Sequence, residues 1–395
     1  MDNPERSIAL RTLVFATATW VLVVAPGCQN VVLGAESESS GPGPSESSTT
    51  TTGMTTAVAG STTTESSPTE TTTPAESSTS TSTGVGTSGP PPFLFDVGGS
   101  GATGTDDGGE TGPVIDWDCD DLVQPFEMET ELGAARGYHD VYFDDEGHLL
   151  GWDGNSIVAV TYDNELSVFL PGVNSAQGMD VLEDGDLLYL NDSGELRRVS
   201  PDAQSTTIAS GFFGAYGVTV GPDQQAYVCW SSGVTRVDPD SGESSVFVTL
   251  PNGTTPRALV FNLDSTGVYM STLLAPQSPV YFMEVDSDLD PSSDPVIFAT
   301  NVGQGYHDGL AIDACGNLYV PDYSTSGLYR VDPEGVVTVM YSGEFNHYGH
   351  GMEFGSGIDG WNDRALYLPQ PYDGFTVNEV VLGVPSGSYV RTWNQ

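Results

Sequence analysis

The chain has 395 residues and a formal net charge of −44, from 54 acidic side chains against ten arginines and no lysine. That balance excludes nucleic-acid binding, whose affinity rests on Lys and Arg neutralising phosphates, and adhesion to an anionic membrane surface. It suits cations, calcium among them, and solubility in a cation-rich medium.

Residues 1–28 have the form of an export signal. Arg6 and Arg11 supply a basic start, and Leu13 to Ala25 is apolar. This run is too short for a spanning helix and the right length for a signal core. It ends in Ala25-Pro26-Gly27-Cys28, which resembles a bacterial lipobox. Lipidation at Cys28 is the expectation, with ordinary cleavage or an uncleaved anchor as alternatives. The chain is then an exported protein of the bacterial cell envelope, and the membrane is reached only through its N-terminal lipid.

Residues 29–112 are rich in Ser, Thr, Gly, Pro and Glu, as in Thr62-Thr-Thr-Glu-Ser-Ser-Pro68. Such a composition cannot bury enough apolar surface to offset chain entropy, so a disordered stalk is expected.

From residue 113 to 395 the chain changes character. Val, Tyr, Leu and Phe alternate with polar residues, turn residues recur, and no stretch sustains helical periodicity. One pattern returns about every forty residues, the period of a propeller blade. Inner strands start near His139, Gly178, Gly217, Ala258, Asp308 and Gly351. Each is followed by an Asp/Gly/Asn turn and a second apolar strand, such as Ala226-Tyr-Val-Cys-Trp230 or Asn317-Leu-Tyr-Val-Pro321. The fold expected is all-β: a six-bladed β-propeller of four-stranded antiparallel blades. Phe126 to Leu132 is either the strand that closes the ring or a loose lead-in.

After Cys28, three cysteines remain: Cys119, Cys229 and Cys315. An exported chain can form disulfides, and three thiols allow one bridge. Cys229 sits inside an apolar strand as a buried thiol, so Cys119–Cys315 is the pairing expected.

Gly-Tyr-His-Asp occurs twice, at Gly137–Asp140 and Gly305–Asp308, and His347-Tyr-Gly-His-Gly351 is a variant of it. A propeller brings all inner-strand starts to one end of its channel. A channel-mouth site is therefore expected from His139, Asp140, His307, Asp308 and His350, completed by Arg257, Gln177 and Tyr216. Asp140 and Asp308 suit a hard cation. His139 and His307 add metal ligands or a general base. Arg257 has the geometry to hold a substrate carboxylate through two parallel hydrogen bonds, or to neutralise the acidic ring in place of a metal. The alternative is structural, with the His-Asp pairs locking blade to blade. Asp286 to Asp294 resembles half of a calcium loop but lacks the sixth-position Gly, so a solvated hairpin turn is expected there. No phosphate-binding loop, dinucleotide fingerprint or Gly-x-Ser-x-Gly elbow is found.

Asp308-Gly-Leu-Ala-Ile-Asp313 followed by Gly316-Asn-Leu-Tyr-Val320 resembles a motif of the SMP-30, gluconolactonase and strictosidine-synthase-like propellers. The repeat resembles NHL propellers more loosely. The first resemblance implies a calcium ion on the channel axis, lactone hydrolysis, and Asp308 as a metal ligand. The family's Glu and Asn ligands have no counterpart; His139-Asp140 and Pro256-Arg257 stand in their places.

Three functional readings follow. The leading one is a binding propeller that takes a small molecule or a metal at the channel mouth. The second is a calcium-dependent lactone or ester hydrolase, with Asp140 and Asp308 as ligands and His139 or His307 as base. The third is a non-catalytic scaffold for an envelope protein or glycan. The chain is expected to act as a monomer.

Overall fold

The computed structural model describes residues 117–120, 122, 129–132, 139–342, 351–370 and 376–388. The signal-like segment with Cys28, the stalk, residues 126–128, Gly137-Tyr138 and the segment holding His347 and His350 lie outside the described residues.

The first strand, β1 (Glu129–Leu132), belongs to the last blade. Five blades then follow from consecutive strands. The first blade is β2 (Val141–Phe143), β3 (Leu149–Trp152), β4 (Ser156–Val160) and β5 (Leu166–Pro171). The second is β6 (Met179–Val181), β7 (Leu187–Leu190), β8 (Glu195–Val199) and β9 (Ser205–Ser210). The third is β10 (Gly217–Val220), β11 (Ala226–Trp230), β12 (Gly233–Val237) and β13 (Ser244–Val248). The fourth is β14 (Thr255–Phe261), β15 (Gly267–Leu273), β16 (Val280–Glu284) and β17 (Val296–Ala299). The fifth is β18 (Ala311–Ile312), β19 (Leu318–Asp322), β20 (Gly327–Val331) and β21 (Val337–Ser342). The sixth takes β22 (Glu353–Phe354), β23 (Ala365–Gln370) and β24 (Thr376–Val381) from the C-terminal end. Its outer strand is β1, antiparallel to β24 with Glu129 opposite Val380 and Leu132 opposite Val377. The segment ending at Leu132 thus closes the ring, and this closure leaves only short blade edges exposed.

Burial follows position in the blade. The second strands β3, β7, β19 and β23 are buried at every residue, because each is covered by neighbouring blades on both faces. The outer strands β5 and β9 are largely exposed or half-buried. Apolar clusters fill the spaces between blades. One joins Tyr227 and Phe247 of the third blade to Phe261 and Met283 of the fourth. Another joins Phe143 and Val158 of the first blade to Tyr367 and Val377 of the sixth, so packing as well as hydrogen bonding seals the ring.

The glycines at inner-strand starts have a steric cause. A Cβ on Gly178 would collide with the Tyr216 carbonyl of the next blade, and one on Gly217 with the Arg257 carbonyl. Backbone meets backbone where blades converge on the axis, and only glycine fits.

Cys119 and Cys315 are bonded, with Cα atoms 5.6 Å apart across 196 positions of sequence. Trp117 and Leu122, beside the bridge, pack on the cluster shared by the fifth and sixth blades. Cys229 is a free thiol, 1 % exposed, and burial pushes it up to about 12.

Many of the acidic residues close turns. Asp144 accepts the Glu146 and His148 N–H groups, and Asp332 those of Glu334 and Val336. Asp286 does the same for Asp288 and Asp290, which makes the 286–294 segment the β16–β17 turn, tied to Arg236 through Asp290.

Candidate binding site at the channel mouth

The inner strands leave a central cavity of about 580 Å³, lined from all six blades. Asp140, Gln177, Tyr216, Arg257 and Asp308 all contribute to its wall. The topology therefore joins residues far apart in sequence, and five of the site residues expected from the repeat meet there.

Arg257 organises the mouth. It is 2 % exposed, at the bulge of β14. Its Nη2 donates to Asp308, in an ion pair with both side chains out of solvent. Its Nε donates to the His307 carbonyl at 3.3 Å. The guanidinium carbon lies 2.9 Å from the Tyr216 ring centroid and 5.4 Å from that of Tyr306, a stacking that favours a partly desolvated cation. Burial pulls Arg257 down from the ordinary arginine value. Nη1 is buried and has no hydrogen-bond partner. Two of the three nitrogens are thus committed, so Arg257 does not offer the two-point carboxylate clamp that its type allows; Nη1 is unpaired and out of solvent contact.

Gln177 also lines the cavity. Its Nε2 donates to the Asp192 carboxylate, which fixes the amide orientation. Its Oε1 is buried and without a partner.

His307 corrects an expectation. It was a candidate base and metal ligand, yet it is 0 % exposed and turned between blades. Its Nδ1 accepts the Thr272 N–H at 3.3 Å, so Nε2 carries the proton and donates to the Val302 carbonyl at 2.6 Å. Burial lowers its pKa, and the imidazole is neutral. With both nitrogens taken by backbone, His307 is a lock between the fourth and fifth blades. Successive residues of an extended segment point to opposite sides, which sends Asp308 to the channel and His307 away from it.

Asp140 behaves similarly. Its Oδ1 accepts the Val141 N–H at 3.0 Å and its Oδ2 the Met179 N–H of the second blade at 3.2 Å. Burial, with a smaller contribution from Asp180, pushes its carboxyl up to about 8. His139 is not among the cavity-lining residues; it lies edge-on to Tyr216 with centroids 6.3 Å apart.

Several contributors were not anticipated. Asp180 repeats the Asp140 device one blade on, accepting the Val220 N–H at 2.6 Å, and Thr219 donates to the Leu259 carbonyl at 2.7 Å. These bonds link the first four blades in series at the channel wall. The forty-residue spacing of Asp140 and Asp180 was a usable signal. Asp322, 1 % exposed at the end of β19, accepts the N–H groups of Gln304, Gly305 and Tyr306 at 2.8–3.0 Å. It pins the loop that delivers Tyr306, His307 and Asp308. Tyr142, Asp180 and Glu353 approach one another at the channel wall; burial and the two carboxylates raise the Tyr142 phenol well above its usual value.

Residues 212–347 match the family described as SMP-30/Gluconolactonase/LRE-like region. Among solved structures, a calcium-binding protein, regucalcin, of Agrobacterium tumefaciens is similar at 15 % identity and TM-score 0.54, over 67 % of this chain and 96 % of that one. A gluconolactonase of Xanthomonas campestris is similar at 16 % identity and TM-score 0.53, over 69 % and 98 %. An auxiliary nutrient binding protein of Bacteroides ovatus is similar at 12 % identity and TM-score 0.51, over 63 % and 70 %. Among curated proteins nothing matches the chain. At these identities the likeness is one of fold, and fold does not fix function.

The resemblance implies calcium on the axis, and calcium takes six to eight oxygens. The described residues do not fit it. Asp308 is paired with a guanidinium, which would repel a cation; both Asp140 oxygens and both His307 nitrogens already hold backbone groups. Among the described residues no group of three His, Cys, Asp or Glu is placed to hold a metal.

Proposed function

We propose that this protein is an exported, lipid-anchored propeller of the bacterial envelope that binds a small molecule at its channel mouth, without a metal. The observation that carries this reading is Arg257: a nearly inaccessible guanidinium on the wall of a 580 Å³ cavity, with one amino group lacking a partner. The cavity has the size of a small-molecule site. A solved neighbour named as a nutrient-binding protein is in keeping with this reading. The calcium-dependent lactone or ester hydrolase finds less support, because Asp140, Asp308 and His307 are engaged between blades and His139 does not line the cavity. The scaffold reading leaves the Arg257 amino group without a purpose.

The test is thermal-shift screening of the protein against small cationic, anionic, zwitterionic and neutral polar compounds, beside an Arg257→Met/Asp308→Leu double variant that removes the ion pair as a unit. At least one class should stabilise the parent and not the variant. No shift with any class, or equal shifts in both proteins, rejects the reading. Anchoring is tested separately, by lipid labelling that Cys28→Ser abolishes.

A further inference from the structure

The two ends of the propeller differ in charge. Each inner strand starts at the mouth. The antiparallel order of a blade therefore puts its second-to-third-strand turn and its crossing to the next blade at the mouth end, and its other two turns at the far end. From the crossing into the third blade through the fifth, the mouth-end loops are 211–216, 231–232, 249–254, 274–279, 300–306 and 323–326. None of them holds an Asp, Glu, His, Lys or Arg. Every far-end turn of the same three blades holds at least one acid: Asp223, Asp238, Asp264, Asp286, Asp313 and Asp332 in turn.

The uncharged end is also apolar. Phe213 and Leu274 are each 68 % exposed. Among the described residues, the other exposed large hydrophobic side chains lie along outer strands or, for Val336, in a far-end turn. Phe213 and Leu274 stand on anchored loops. Phe212, beside Phe213, is buried edge-on to Trp230 with ring centroids 5.9 Å apart, and the Phe213 carbonyl accepts the Ser231 hydroxyl at 2.9 Å. Leu274 has φ 50°, a strained backbone for a bulky side chain. Its N–H donates to the Gly305 carbonyl, and the Asn301 N–H donates to the Gln277 carbonyl at 2.6 Å, so loops 274–279 and 300–306 hold each other. Tyr306 and Tyr323, half-buried with centroids 5.2 Å apart, continue the face beyond Gly305.

Exposed apolar side chains on fixed loops, aromatic rings and an absence of charge make up the core of a protein interface, where charged residues are depleted and Tyr and Phe enriched. The six loops comprise about thirty residues, and a standard interface uses roughly 20–30 on each side. The partner must present a surface of the same kind, uncharged and apolar, and this face is itself such a surface. A two-fold contact sets one patch against its own copy. It also keeps apart the acidic far ends of two chains that each carry a net charge of −44, whereas contact through the far ends would bring acidic turns together.

We propose that two copies of this chain associate face to face through the mouth-end loops of blades three to five, burying Phe213 and Leu274. The dimer replaces the monomer expected from the sequence. It does not rest on the channel-mouth reading, since neither residue lines the cavity.

The experiment is sedimentation equilibrium of the purified protein in 0.1 M and 1 M NaCl, where the screening length is about 10 Å and about 3 Å. A monomer–dimer equilibrium is expected, tighter at 1 M because the contact is apolar and the repulsion between the two acidic bodies is screened. Phe213→Ser/Leu274→Asn should weaken it roughly tenfold or more with an unchanged circular dichroism spectrum, Asn being tolerant of the left-handed backbone at 274. Val296→Ser/Ile297→Ser, on the exposed outer strand β17, should leave it unaltered. All variants keep the same N-terminus, so association through a lipid there does not separate them. A monomer at about 0.1 mM in both salts overturns the proposal. So does a dimer that weakens as salt rises, or one that Phe213→Ser/Leu274→Asn leaves intact. None of these results bears on ligand binding in the channel, which the thermal-shift screen decides.

Discussion

Arg257 and Asp308, fifty-one positions apart and on adjacent blades, form an ion pair whose side chains are 1 % and 0 % exposed. The guanidinium stands beside the carboxylate that the family resemblance assigned to a cation. One charge pair thus joins two blades and puts a guanidinium and its counter-charge on the cavity wall.

Breaking this pair from one side should be costly. Asp308→Ala or Arg257→Ala leaves an uncompensated buried charge, for which about 3–5 kcal/mol of destabilisation is expected. Replacing both residues by apolar groups of similar volume should cost far less, since desolvation of the pair already absorbs much of its attraction. Urea unfolding of the three variants measures the difference.

His307→Ala should destabilise by about 2–4 kcal/mol, from lost side-chain volume and from the Thr272 N–H and Val302 carbonyl left unsatisfied. Ligand affinity should be unchanged, because the ring does not reach the cavity. The pH dependence follows from the lowered pKa. A depressed imidazole contributes stability above its unfolded pKa, about 6.5, and loses it as pH falls through that value and below. In His307→Ala this acid-side slope should diminish, as melting curves between pH 7 and 5 would show.

Asp140 has the opposite sign. Its carboxyl is raised from the unfolded 3.8 to about 8, so the folded state holds a proton that the unfolded chain releases. Its contribution is fully present below about pH 4, declines as pH rises toward 8, and is gone above it. Asp140→Asn should flatten the decline between pH 6 and 8.5, measured as melting temperature against pH.

Removing the Cys119–Cys315 bridge by Cys119→Ser/Cys315→Ser should cost about 2–5 kcal/mol, the upper end being what loop closure alone gives for so long a loop. The bridge lies close in sequence to β1, so the loss should appear first as faster hydrogen exchange in β1 and β24. Uniform loss of protection across all blades would argue against a local role in ring closure.

The architecture was legible because a propeller repeats itself: glycines at 178 and 217, apolar second strands and Asp-rich turns all follow from blade geometry. The Cys119–Cys315 pairing was the one expected once Cys229 was set inside a strand. Ring closure was ambiguous, since Glu129-Thr-Glu-Leu132 is short and carries no blade of its own; only its pairing with β24 shows its place. The site was legible in position and less so in role. Arg257, Asp308, Gln177 and Tyr216 meet at the mouth as the strand starts required. Which member of a His-Asp pair faces the channel depends on side-chain direction, and composition does not encode it. His307 looked like a base because histidine often is one; two backbone groups in contact with its ring make it a lock. Asp180, Thr219 and Asp322 escaped notice because a lone polar residue in an apolar strand gives no sign of the backbone groups it will meet.

The central claim is that a guanidinium occupies the place of a metal at the mouth of this channel. Calorimetric titration of calcium into chelator-treated, desalted protein tests it most directly, with Asp308→Asn alongside. The account predicts no saturable one-to-one binding in the parent protein. One equivalent of calcium bound by the parent and lost in Asp308→Asn would contradict it and restore a metal-centred site.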